Sequence, residues 1–440
     1  MSMLHKKILV IAYYWPPDGG AGVQRWLKLT KYLVKEGWQP TVITVKADQA
    51  SYMQRDETLL SDVAEGVRVI RTDSFEPINW YARLVGKKNV PSGGFANVSN
   101  SWKQRLVNSL RSHLFIPDPR RGWVRFAAKA ALDLLAREPF DAVITTSPPP
   151  SVQLTGLRLK GKTAVPWISD MRDPWTDIYY YPILGHSVFS HSINLRLEQK
   201  ALTGADALVS VSEGFLASFI KKYPSIGQKP TAVIKNGFDP EDFEGKTGHF
   251  PETFTLTYTG TIGDTYRPEV FFDALRLLLD RRPEANIRFR VAGKLSPTQE
   301  AYAREKGLGH LLELPGYVPH DESVNLLLSS SALVLIIMYG ESETGILPGK
   351  IYEYLASRKP VLCIGPPEGD AARMLRDAGA GATFDRSDAA PIADYLETLY
   401  DQHLAGTLPL TPAEKVLTYS RREQARAWIR LISSLHPSGS

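Results

Sequence analysis

Residues 343 to 366 read ETGILPGKIYEYLASRKPVLCIGP. A loop with glycine and proline runs into a helical pattern, and an apolar run between Pro360 and Gly365 follows. Loop, helix and buried strand in that order are one segment of an open α/β sheet, in which ligands bind at the carboxyl ends of the strands. A nucleoside-triphosphate P-loop needs Gly, four residues, then Gly-Lys-Ser/Thr, the hydroxyl holding magnesium. Here Thr344 stands where the first glycine belongs, and Ile351 stands where the hydroxyl belongs. The triphosphate reading fails, but an anion-binding character remains. Amides around Ile346, Leu347 and Gly349 meet a helix start, Pro348 suits the first turn, and Lys350 adds a full positive charge. Glu353 falls three residues later on the same helix face, where a carboxylate can accept two hydrogen bonds from a vicinal diol such as ribose. Diphosphate at the helix start and ribose one turn on describe a nucleotide-diphosphate ligand. A surface ion pair between Lys350 and Glu353 is the competing reading.

The same alternation extends in both directions. KILVIAYY, TVITVK, VRVIRT, DAVITTS, AVPWISDM, ADALVSVS and TAVIKNG form a first series of apolar runs. FTLTYTGTI, NIRFRVAGK, LLELPGYV, ALVLIIM, PVLCIGP and GATFD form a second. Continuous apolar runs separated by amphipathic helices predict parallel sheets covered on both faces. The polar, turn-rich NGFDPEDFEGKTGHFPE separates the two series. The expected fold class is therefore α/β, with two doubly wound, Rossmann-like domains at residues 1–238 and 239–410. A helical pattern from 411 to 436 carries Ala425, Trp428, Ile429 and Ile432 on one side, and 411–440 is read as a separate C-terminal helix.

A chain of 440 residues with 43% apolar and 22% charged residues is an ordinary globular protein of more than one domain. Its single cysteine, Cys363, excludes an internal disulfide framework and, inside PVLCIG, reads as a small buried hydrophobe. The basic start MSMLHKK leads into a short apolar stretch that meets Pro16-Pro17 without a cleavage pattern, so a first buried strand is expected rather than a leader. No run of eighteen apolar residues is present, and a cytoplasmic location follows as the expectation. Charge is uneven. Residues 76–130 hold ten Lys/Arg, opposed only by Glu76 and Asp118. Within them Trp102, Leu106, Leu110 and Leu114 recur every four residues, an amphipathic basic helix suited to an anionic membrane surface or to packing with its basic face in water. No nucleic-acid-binding motif accompanies this charge.

The loops after strands carry the chemistry. WPPDGGAGVQRW brings Gly20 and Gly22 before a helix, but Arg25 occupies the place of the last glycine of a dinucleotide fingerprint, which argues against nicotinamide or flavin. Asp170, Arg172 and Asp173 cluster at a strand end, where they suit either sugar hydroxyls or an ion-pair network holding the loop. The second series places Arg267 after Gly260 and Gly263, Lys294 after VAG, and Tyr317 and His320 in PGYVPHDE. The histidines show no metal spacing, and no metal cofactor is expected.

Together these stretches resemble the retaining glycosyltransferases of family 4, which have the GT-B architecture of two facing Rossmann-like domains. The resemblance spans nearly the whole chain. ILVIAYYWPPDGGAGVQRWLKLTKYL, DAVITTSPPP, ALVSVSEGF, VIKNGFDP, VAGK and PGYVPHDE carry it, with GILPGKIYEYLASRKPVL its most specific part and GAG at 379–381 following. It implies that Glu353 binds the donor ribose, that the loop Glu343, Thr344, Gly345, Ile346 and Leu347 cradles the diphosphate with Lys350, and that Gly20 and Gly22 close over the donor. It also implies that the final helix returns to the first domain. Three positions depart from the family pattern: Gly345 replaces the first glutamate of E-x7-E, Thr261 and Arg267 stand at the usual Arg…Lys pair, and Arg172 with Asp173 stands at the usual histidine. The implied activity is metal-independent hexosyl or N-acetylhexosaminyl transfer from a nucleotide sugar to a glycan or lipid-linked acceptor, with Asp173, Arg172 and Lys350 as catalytic candidates. A peripheral place on the inner membrane face accompanies it. A nucleotide-sugar epimerase or hydrolase, and a non-catalytic sugar-nucleotide or membrane-binding protein, are the alternatives.

Overall fold

In strand Lys7–Ile11, Ile8 and Val10 enter one core while Leu9 and Ile11 enter another. A strand covered on both faces must be apolar at every position, which is why KILVI reads as an unbroken run. The computed structural model describes residues 5–52, 54–76, 115–178, 181–340 and 343–436. It resolves two units, one of residues 1–235 with 424–440 and one of residues 236–423.

The first unit is built on β1 (Lys7–Ile11), β2 (Gln39–Val45), β3 (Arg68–Thr72), β4 (Ala142–Ser147), β5 (Trp167–Met171), β6 (Ala207–Ser210) and β7 (Thr231–Val233). Their pairings are parallel, in the order β3-β2-β1-β4-β5-β6-β7. Strand order reverses between β1 and β4, so the loops after these two strands diverge and leave a crevice at the sheet's carboxyl edge. The loop after β1 carries Gly20, and Gly22 stands in the first turn of the helix Ala21–Lys35 that follows it.

The second unit repeats the plan with β8 (Phe254–Ile262), β9 (Ile287–Leu295), β10 (Leu312–Glu313), β11 (Ala332–Ile336), β12 (Val361–Ile364) and β13 (Gly381–Phe384). The order is β10-β9-β8-β11-β12-β13, again parallel. Its reversal lies between β8 and β11. The loop bearing Arg267 leaves β8, and the loop leading to Lys350 leaves β11. Cys363 is buried in β12, and burial pushes its thiol up to about 12, as its apolar neighbours predict.

The helical pattern expected from 411 to 436 is two helices, Ala413–Leu417 and Arg421–Ser434. The break arises because Tyr419 O accepts from the Phe238 amide at 3.2 Å and the Arg421 amide donates to Phe238 O at 2.8 Å. That bridge draws residues 418–420 out of helical geometry. In the second helix Trp428 is fully buried, its ring 5.0 Å from that of Trp26. Truncating such a ring costs roughly 3–5 kcal/mol, enough to hold the helix on the first unit. The basic pattern around Trp102 to Leu114 lies outside the described residues.

Candidate active site

The helix Lys350–Ser357 starts without a side-chain cap at Gly349. Of the three amides expected there, the one on Ile346 is spent, donating to Glu343 O at 3.2 Å and closing the short turn Glu343–Gly345. The amides of Leu347 and Gly349 donate to no described residue. They remain free for an anion.

Lys350 and Glu353 share a helix face but part company. No ion pair forms between them. The Lys350 Nζ lies 3.7 Å from the centre of the Tyr258 ring, on β8, and beside Gly260. The Tyr258 hydroxyl donates to Thr261 O at 3.0 Å, which holds the ring against the strand end. An aromatic face attracts the ammonium but does not replace water fully. Burial therefore pushes Lys350 down to about 7, against the pull of Glu353. Glu353 turns to His320 instead, its Oε1 3.9 Å from Nδ1, while His320 Nε2 sits 3.1 Å from Asp242 Oδ2. Burial raises the Glu353 carboxyl, opposed by His320 and Arg421.

Backbone geometry makes room for the lysine. Gly260 and Gly293 are register partners on β8 and β9, with φ of +100° and +148°. A Cβ on Gly293 would lie 2.1 Å from Gly260 O. Gly293→Ala is expected to destabilise the protein by roughly 1–3 kcal/mol and lower Tm. Gly263→Ala, whose Cβ would find its nearest neighbour at 4.0 Å, serves as the neutral control.

Thr261 and Lys294 are the next register pair, both exposed. Lys294 thus stands beside the position where an arginine was expected. Arg267 is exposed in the left-handed region at φ +48°, and its guanidinium lies 4.0 Å over the Tyr339 ring. Arg386 approaches the same ring at 5.6 Å and pairs with Glu343 at 3.0 Å. Glu343 is accordingly committed to an arginine. Thr344 is exposed, Gly345 and Leu347 are buried, and Tyr317 is 88% exposed on its loop.

In the first unit Arg172 is buried and donates from Nε to Ser147 O at 2.9 Å and from Nη1 to Gly22 O at 2.6 Å. From just after β5 it ties the end of β4 to the first turn of the helix Ala21–Lys35. Gly22 leaves space for it, because a Cβ there would meet Tyr14 at 3.1 Å and the Arg172 guanidinium at 3.3 Å. Asp173 is half-buried beside it, with its carboxyl raised by burial. Asp170 takes the loop-holding role of the two read from sequence. Both its oxygens accept from Arg25, at 3.1 and 2.9 Å, and Oδ2 also accepts from Trp26 Nε1 and Thr146 Oγ1, each at 2.8 Å. At the first helix start the Gly20 amide donates to Asp18, whose carboxyl burial pushes up to about 6.

The model Glycosyltransferase Family 4 matches residues 19–242, just over half of the chain. The chain belongs to glycosyltransferase family 4. A second model, Glycosyl transferases group 1, matches residues 253–402 of this family 4 chain. Family and fold, two doubly wound units with a C-terminal helix, class it among the GT-B glycosyltransferase enzymes. It is 25% identical over 246 residues to the D-inositol 3-phosphate glycosyltransferase of Pseudarthrobacter chlorophenolicus, covering 53% of this chain and 55% of that protein. The chain spans about half the length of the curated relatives it matches. Among solved structures it is similar to a glycosyltransferase from Rickettsia africae, with TM-score 0.60, 14% identity and coverage of 98% and 99% of the two chains. It is also similar to Anabaena HepE in complex with UDP, with TM-score 0.59, 12% identity and coverage of 97% and 100%.

Sequence reasoning missed Tyr258, Tyr339 and Arg386 and gave His320 no role. Tyr258 and Arg386 reach the site from strands or loops distant in sequence, and only the fold brings them there. His320 was visible at a strand end, but its link to Glu353 was not. Among the described residues no group of three or more His, Cys, Asp or Glu is placed to hold a metal ion.

Proposed function

We propose that this family 4 chain transfers a hexosyl or N-acetylhexosaminyl group from a nucleotide-diphosphate sugar to an acceptor hydroxyl, with retention at the anomeric carbon. The acceptor is a glycan or a lipid-linked intermediate. The observation that carries this reading is the divergence of Lys350 and Glu353 from one helix face. Lys350 begins the helix, next in sequence to the free Leu347 and Gly349 amides, and its ammonium lies over Tyr258 beside Gly260; a diphosphate fits such a helix start. The carboxylate lies one turn away beside His320, where it can accept from both hydroxyls of ribose. Lys350, Lys294 and Arg267 are the cations available to the charge that develops on the departing diphosphate, and preorganised groups of this kind lower the barrier to its loss. UDP in the HepE structure supports a nucleoside diphosphate as the ligand.

The acceptor side belongs to the loops at the carboxyl edge of the first sheet, where Asp173 is the half-buried carboxylate. Among the described residues no helix is long and apolar enough to cross a membrane. A peripheral position on the inner face of an anionic membrane suits both the basic residues of 76–130 and a lipid-linked acceptor. Incubation with a nucleotide-sugar panel and hydroxyl acceptors, followed by proton NMR, tests the reading. A glycoside with the donor's anomeric configuration supports it, whereas acceptor-independent epimer or free sugar would replace it with epimerisation or hydrolysis.

Lys350 also sets a pH dependence. It faces Tyr258 and Glu353, and in the free protein it loses its proton near 7. A bound diphosphate favours the protonated form. Affinity for nucleoside diphosphate is therefore expected to be level below pH 7 and to fall by up to about tenfold per pH unit above it. Calorimetric titration across pH 6 to 9 checks this, and Lys350→Arg should remove the inflection.

A further inference from the structure

A groove of about 490 Å³ opens on the first unit, between the helices Val124–Leu135 and Gln153–Leu159 and the chain that leaves β3. Its floor is apolar, formed by Phe115, Leu154 and Leu157, and Phe75 stands at its edge with 60% of its surface exposed. Arg121, Arg125 and Arg158 line it, all three exposed. None of the three pairs with a carboxylate among the described residues. Asp118, the acid in the lining, is consumed elsewhere: it accepts from the Ser151 amide at 2.7 Å, Ser151 Oγ at 2.9 Å and the Arg120 amide at 2.8 Å.

The geometry of the rim is fixed. A Cβ on Gly122 would lie 1.7 Å from Phe75 O, so the backbone at Phe75 is pressed directly onto the turn Pro119–Trp123. The Arg125 guanidinium lies 5.8 Å from the Phe75 ring and 4.7 Å from the Phe126 ring. Stacked on aromatic faces, a guanidinium keeps its in-plane N–H groups for a planar or tetrahedral anion. The exposed Phe75 ring and three arginines without a carboxylate, of which Arg121 also donates to Ile116 O at 2.9 Å, make a mixed apolar and cationic surface. Its partner must offer hydrocarbon in the middle and negative charge around it.

We propose that this groove docks the protein on a bilayer carrying anionic phospholipid. Headgroup phosphates pair with Arg121, Arg125 and Arg158, and Phe75 with the floor takes up the adjoining acyl region. Charge complementarity selects this occupant, because three unopposed cations disfavour a neutral or cationic surface. The inference deepens the peripheral-membrane reading by naming its surface, and it is independent of donor chemistry.

The test is sedimentation of the full chain with phosphatidylcholine vesicles, with and without phosphatidylglycerol. Wild-type protein should partition onto the anionic vesicles, and added salt should weaken that partition. Arg125→Glu with Arg158→Glu should reduce the partition by roughly tenfold or more, and Arg125→Gln with Arg158→Gln by a smaller factor. Phe75→Ala should weaken binding that survives high salt. Titration of each variant with the donor nucleotide, together with its melting curve, separates a failure here from misfolding or from a failure of the donor reading. Equal partition of wild type and the charge-reversed variant would overturn the proposal, as would wild-type binding that ignores phosphatidylglycerol.

Discussion

Lys350→Met is expected to lower kcat for sugar transfer by roughly 10²–10³ while leaving Tm at or above the wild-type value. The two halves of this prediction come from one environment. Lys350 sits over the Tyr258 ring beside Gly260, in surroundings that push its ammonium down to about 7. A lysine held below its ordinary value is one whose charged form the folded state disfavours. The folded chain then binds fewer protons than the unfolded chain between about 7 and 10.5. This group's contribution to stability therefore rises with pH across that window and is least favourable below it. Methionine keeps much of the side-chain volume and removes the penalty, so the fold does not suffer. The departing diphosphate loses its cation, so the reaction does. Steady-state kinetics beside a thermal melt checks both. A large fall in Tm would make Lys350 a structural residue.

Asp170→Ala carries the largest expected effect on stability. Asp170 and Arg25 are almost wholly buried, and the pair is surrounded by Trp26, Thr146 and the Lys235 carbonyl, which accepts from Arg25 Nη1 at 2.9 Å. Removing the carboxylate strands a buried guanidinium and two donors at a cost of roughly 3–5 kcal/mol. For a unit of this size that corresponds to a fall in Tm of roughly 6–20 °C. The double variant Asp170→Leu with Arg25→Met should recover part of the loss, because neither charge is then left alone. A calorimetric double-mutant cycle measures the coupling. Because the pair joins the helix Ala21–Lys35 to the end of β5, it fixes the helix start at Gly20 and Gly22.

The strands were legible because burial on both faces leaves no polar position to interrupt an apolar run. Their order across each sheet was not, since it depends on pairings between residues far apart. The break at residues 418–420 illustrates this. Local periodicity supports one helix from 411 to 436, and the competing bridge comes from Phe238, a partner no helical period reveals. The candidate site divides the same way. Lys350 and Glu353 announced themselves by spacing from Gly349, yet spacing equally allowed an ion pair between them. Tyr258 and His320 decide against that pair, and both come from other segments. Asp170 was ambiguous in sequence because a carboxylate at a strand end looks the same whether it faces a sugar or a buried arginine. Its pairing with Arg25 resolved it.

Glu353 offers the most direct test that this helix holds the donor nucleotide. Isothermal titration should compare a ribonucleoside diphosphate with its 2′,3′-dideoxy form, on wild type and on Glu353→Ala. The expected result is that wild type prefers the ribonucleotide by roughly tenfold or more, as for a half-buried carboxylate left unpaired, and that Glu353→Ala binds both forms alike and weakly. If Glu353→Ala binds the ribonucleotide as wild type does, or keeps the preference for it, the ribose is not held at Glu353 and the proposed donor site is wrong.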